Sequence, residues 1–125
     1  MIPDLSGKTI NAMQSDYALK LWTTDGWRIL LAGDTTFASV DGETVVLDTE
    51  VASLEPIAEA KPLLGSSITG ASASPTGDLE ITLDAGRLLV RAGESYEAWQ
   101  IDGPQGELVI CMPGGELAVW GPRGV

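Results

Sequence analysis

The chain contains no histidine and only one cysteine, Cys111. Without imidazole there is no Ser-His-Asp or Cys-His nucleophile pair, no HExxH zinc motif, and no side chain whose ordinary pKa lies between 5 and 8. A lone thiol excludes an internal disulfide framework and any zinc site built on several thiolates, so neither metal nor cofactor is expected. Bases are scarce too: seven Lys plus Arg stand against 18 Asp plus Glu, a net charge of −11. Such a field repels phosphate backbones and anionic membrane surfaces, which leaves a basic protein as the favoured partner. Long apolar runs are also missing. The longest uncharged stretch, Pro62 to Gly77, is about half Gly, Ser and Thr and falls short of the ~20 apolar residues of a spanning helix. The opening MIPDLSGKTI has neither the basic nor the apolar region of a secretory signal, and a cytoplasmic location is expected.

What is present suits a single folded domain over residues 1–125. At 125 residues and 44% hydrophobic, the chain has the usual domain length of ~100–150 residues. Period-two alternation dominates, the mark of strands with one buried face. Tyr17, Leu19 and Leu21 alternate with Ala18, Lys20 and Trp22, and Asp25-Gly26 then supplies a hairpin turn before Trp27–Ala32. Thr35–Val40, Asp41-Gly42 and Glu43–Asp48 repeat the arrangement. Further strands are predicted at Asp78–Asp84, Arg87–Ala92, Ser95–Asp102, Glu107–Met112 and Glu116–Trp120, punctuated by Gly103-Pro104-Gln105-Gly106 and Pro113-Gly114-Gly115. Between Ser53 and Leu64 the spacing of Leu54, Ile57, Ala58 and Lys61 predicts one short helix capped by Ser53 and ended before Pro62. The small-residue stretch Ser66–Pro75 reads as a connection. The fold class is therefore mainly β (β-rich α+β), with about nine short antiparallel strands and one short helix, arranged as a half barrel or small sandwich.

The excess charge is uneven along the chain. From Ile29 to Ala60 there are seven acids and no base, and Ala92 to Val125 holds five acids with Arg123 alone. Gathered on one face, these carboxylates would steer a cationic partner. Asp41, Glu43, Asp48, Glu50, Glu55 and Glu59 are the predicted partner-facing acids, and Trp22, out of phase with its apolar neighbours, is the predicted anchor. No catalytic residue is assigned. The acid pairs Glu94/Glu97, Asp48/Glu50 and Asp78/Glu80 would need a cleft and a defined separation to act as a general acid/base dyad. Cys111, inside the apolar run Leu108–Met112, reads as a buried, inert thiol.

Tyr96-Glu97-Ala98-Trp99, Gly103-Pro104, Leu108-Val109, Cys111 and Pro113-Gly114-Gly115-Glu116-Leu117-Ala118-Val119-Trp120 resemble the C-terminal hallmark of an uncharacterised family of small actinobacterial proteins. Leu21 to Leu30 resembles that family's N-terminal hairpin. The resemblance implies no activity, though small acidic proteins of this kind resemble immunity partners of secreted toxins. The expectation is a non-enzymatic, acidic protein-binding module, specifically an immunity protein that occludes the active site of a basic toxin enzyme. The alternatives are a self-associating structural module and a small-ligand or carbohydrate-binding β domain; the oligomeric state is open.

Overall fold

In a computed structural model, which describes residues 2–47, 52–53 and 58–121, the chain forms twelve strands and one 3-10 helix. The strands are β1 Ile10–Asp16, β2 Leu19–Thr23, β3 Arg28–Leu31, β4 Thr35–Ser39, β5 Thr44–Leu47, β6 Ala52–Ser53, β7 Ile68–Ala73, β8 Leu79–Leu83, β9 Gly86–Val90, β10 Trp99–Asp102, β11 Leu108–Cys111 and β12 Leu117–Trp120. They build two antiparallel sheets, ordered β12-β11-β10-β3-β2-β1-β6 and β5-β4-β9-β8-β7. Their inward faces share one apolar cluster, to which Leu19, Leu21, Ile29, Leu31, Trp99 and Ile101 come from the first sheet and Phe37, Ile68, Leu79, Ile81, Leu88 and Val90 from the second. The sheets meet at one corner, where Ile10 donates to the Ser66 carbonyl at 3.0 Å and Ile68 to that of Lys8 at 2.8 Å, and they do not close into a barrel.

One local device recurs five times. The loops Thr24-Asp25-Gly26, Val40-Asp41-Gly42, Pro75-Thr76-Gly77, Pro104-Gln105-Gly106 and Pro113-Gly114-Gly115 each end on a glycine with φ between 89° and 95°. In each, the residue before the loop donates its N–H to the carbonyl of the residue after it, at 2.8 to 3.0 Å, and accepts from the glycine N–H. This is the three-residue hairpin, a turn followed by one left-handed residue, and it sets the register of the flanking strands.

The antiparallel β-rich architecture and all nine expected strands are present, with differences that have local causes. Three further strands exist. β1 and β7 contain little large apolar residue beyond Ile10, Met13 and Ile68, so alternation is faint there, and Ser66–Pro75 is mostly strand rather than a connection. The described part of the helix is a 3-10 turn over Ala58–Leu63 with Pro62 inside it, Ser53 belongs to β6, and the expected first turn at 54–57 lies outside the described residues. Its buried residues are Ala60 and Leu63, three apart, which fits three residues per turn better than 3.6. Tyr17 does not share the core with Leu19 and Leu21: it occupies the β1–β2 turn with φ 58° and is 67% exposed.

Candidate docking face

The hairpin registers align two rows of side chains across the outer face of the seven-stranded sheet. One row runs Ala12, Trp22, Arg28, Asp102, Leu108, Trp120; the next runs Gln14, Lys20, Leu30, Gln100, Ile110, Ala118. Their chain neighbours Leu21, Ile29, Leu31, Ile101 and Val109 fill the core, so alternation turns these twelve outward. Trp22, Leu30, Leu108 and Ile110 are half-buried, while Trp120 is 51% exposed. At ~4.8 Å per strand, the four steps from Trp22 to Trp120 put the two indoles about 19 Å apart. Between them the Arg28 guanidinium meets the Asp102 carboxylate at 3.1 Å, so that pair is neutralised, and Lys20 in the next row is the remaining charge among the twelve. The outer face of the other sheet differs: Thr36, Ala38, Thr44, Ser72 and Thr82 share it with Val46, Leu89 and the Arg87–Glu80 pair.

The turn beside Trp22 is held rigidly. Lys8 Nζ lies 2.5 Å from Asp25 Oδ2 and 5.4 Å from the centre of the Trp27 ring. Thr23 Oγ1 donates to Asp25 Oδ1 at 2.7 Å and accepts the Trp27 N–H at 3.0 Å. The Lys8 ammonium, helped by the Thr23 hydroxyl, holds the Asp25 carboxyl below the ordinary carboxylate range. Trp27 itself is buried and offers no surface to a partner.

The other predicted residues lie apart from Trp22. Asp41 and Glu43 are exposed at the β4–β5 turn of the opposite sheet, and Glu59 is exposed on the 3-10 helix. Asp48, Glu50 and Glu55 fall outside the described residues. The structure thus puts Trp22 on one sheet face with Leu30, Leu108, Ile110 and Trp120, a grouping that sequence reasoning missed. Leu30, Leu108 and Ile110 alternate with buried Ile29, Leu31, Val109 and Cys111, which shows that they face outward but not that they share a face with Trp22.

Cys111 is buried, its Sγ 3.4 Å from the Gly77 carbonyl, and burial raises its thiol pKa. Of the acid pairs, Asp78 has Oδ1 engaged by the Ala92 N–H at 2.8 Å, and Glu80 is paired with Arg87. A surface depression of about 310 Å³ beside Asp78 also takes in Thr76, Arg91, Gly93 and Glu94. Among the described residues no group of three or more Cys, Asp or Glu could hold a metal ion, and no helix is long and apolar enough to cross a membrane.

No curated protein and no solved structure matches the chain. Residues 1–121 match the family described as "Family of unknown function (DUF6188)", and with nearly its whole length covered the chain belongs to that family.

Proposed function

We propose that this protein is a non-enzymatic binding module of the cytoplasm that docks a basic protein on the outer face of its seven-stranded sheet, acting as an immunity-type inhibitor that covers the active site of a toxin enzyme. The observation that carries this reading is the apolar strip bounded by Trp22 and Trp120, with Leu30, Leu108 and Ile110 between them and a neutralised Arg28–Asp102 pair at its centre. Tryptophan is among the side chains most enriched at interface hot spots. The net charge of −11 supports a cationic partner, because complementary fields raise association rates.

The test is calorimetric and kinetic titration of the product of the adjacent gene at two salt concentrations. Binding is expected, with an association rate that falls as salt rises. Trp22→Ala is expected to weaken it about 30-fold, the value of a 2 kcal/mol hot spot, with a folded protein confirmed by its unfolding transition, since the half-buried ring also contributes to stability. An adjacent product that does not bind, or a Trp22→Ala protein that binds as tightly as the parent, would remove the proposal.

A further inference from the structure

We infer that the open edge of β12 pairs with β12 of a second copy, joining two seven-stranded sheets across a two-fold axis at Val119. The edge borders the docking face at Trp120, but the observation behind the pairing is a different one, the hydrogen-bonding parity of the last strand.

An unpaired strand edge is a template for another strand, and soluble proteins ordinarily blunt it with charge, proline, a bulge, brevity or a cover. Three of the four edges here are managed in such ways. β6 is two residues long. β7 is bulged between Ile68 and Gly70, and its first residue is bonded to Lys8. β5 lies against the 3-10 helix. Among the described residues β12 has none of these. Its sequence, Leu117-Ala118-Val119-Trp120, contains no charge and no proline, and Val119 and Trp120 are 55% and 51% exposed.

The ladder shows which main-chain groups are free. Met112 donates to the Glu116 carbonyl at 2.8 Å, which makes Met112–Glu116 a hydrogen-bonded pair. Since such pairs alternate along an antiparallel ladder, Ile110–Ala118 and Leu108–Trp120 are bonded pairs as well. The N–H and C=O groups of Leu117 and Val119 consequently point away from β11, toward the open side. A two-fold axis at Val119 sets Val119 opposite Val119 of the second copy and Leu117 opposite its Gly121, matching free groups with free groups. The same register places the large Trp120 side chain opposite the small Ala118 of the other copy on the outer face. It brings no charged residue into the pairing, so a neutral strand is the fitting occupant and a cationic one would find no carboxylate in β12 to meet.

Two bodies of charge −11 repel, and four residues make a small interface next to the ~800 Å² per partner of a standard one. The dimer is therefore weak and strengthens as salt screens the repulsion, opposite in sign to the docking of a basic protein.

Sedimentation velocity over a concentration series at low and high salt reads the dimer, and amide hydrogen exchange on the same samples reads the edge. The parent chain is expected to dimerise more at high salt, with the Leu117 and Val119 amides slowing together with dimer formation. Val119→Pro removes a donor that β11 does not use, a position where an edge strand tolerates proline. That variant is expected to keep the parent's unfolding temperature and stay monomeric at every concentration. A parent chain that is monomeric throughout, a Val119→Pro variant that still dimerises, or a dimer in which both amides exchange freely overturns the inference. Trp22→Ala, which weakens docking of a basic partner, lies four strands from the β12 edge and leaves dimerisation intact, so the two readings fail separately.

Discussion

Gly77 is a residue whose replacement the structure makes costly for its size. Two hairpin loops, Pro75-Thr76-Gly77 from the five-stranded sheet and Pro113-Gly114-Gly115 from the seven-stranded one, touch backbone to backbone. A Cβ on Gly77 would lie 2.3 Å from the Gly115 carbonyl oxygen and 2.6 Å from its Cα, and one on Gly115 would lie 2.1 Å from the Thr76 carbonyl oxygen. The Gly77 carbonyl also accepts the indole N–H of fully buried Trp99 at 2.8 Å. In Gly77→Ala the positive φ of 89° costs about 1–2 kcal/mol. Separating the loops strands the buried indole donor for about 1–3 kcal/mol more, and the loss of close packing adds about 1 kcal/mol. The expected total is about 4 kcal/mol. Gly42→Ala is the control: its φ is 91°, yet nothing lies within 4 Å of the added carbon, so it loses about 1–2 kcal/mol through the backbone alone. At about 4 °C per kcal/mol for a chain of this size, calorimetry should place Gly42→Ala about 4–8 °C below the parent and Gly77→Ala about 16 °C below it. Equal losses for the two variants would refute the idea that these loops latch the sheets together.

Two other outcomes follow from side chains at the same level of detail. Because burial raises the Cys111 thiol pKa, iodoacetamide at neutral pH should leave the native chain unmodified and label it fully in urea; rapid native labelling would contradict the burial. The Asp25 carboxyl, lowered first by its hydrogen bond to Lys8 and then by Thr23, contributes stability above the unfolded carboxylate value of ~3.9 and loses it as pH falls through its depressed folded value. Unfolding free energies measured between pH 5 and 2 should therefore fall more steeply for the parent than for Asp25→Asn. Parallel curves would mean that the carboxylate adds nothing.

Legibility in the sequence followed the size of the apolar residues. Leu79, Ile81 and Leu83 alternate with Glu80 and Thr82, and β8 is plain to see; in β7 the inward positions after Ile68 are Ala71 and Ala73, whose small side chains carry almost no periodic signal. Asp25-Gly26 and Asp41-Gly42 announce their hairpins. Pro75-Thr76-Gly77 makes the same loop and was hidden only because the strand before it was. The outward phase of Trp22 could be read from Leu19 and Leu21. Leu30 joins it on the next strand of the same hairpin, but Leu108, Ile110 and Trp120 reach the same face only through the pairing of β3 with β10, such as Arg28 with Asp102, 74 residues apart, which no local pattern encodes.

Charge and contact are separated in this molecule, and the separation decides how it can work. The acids of the middle segment that the structure describes sit on the β3–β4 connection (Asp34), at the β4–β5 turn and on the 3-10 helix, while the strip around Trp22 is balanced at its centre by Arg28 and Asp102. With a screening length of about 8 Å at physiological salt, an exposed carboxylate on the opposite sheet contributes little to a complex seated on that strip. It still contributes to the field that a cationic partner meets on approach. Salt should accordingly slow association with such a partner and leave dissociation almost unchanged, since what holds the partner is the burial of indole and aliphatic side chains. The β12 edge, neutral along its length, shows the reverse response, because the same field acts there between like bodies.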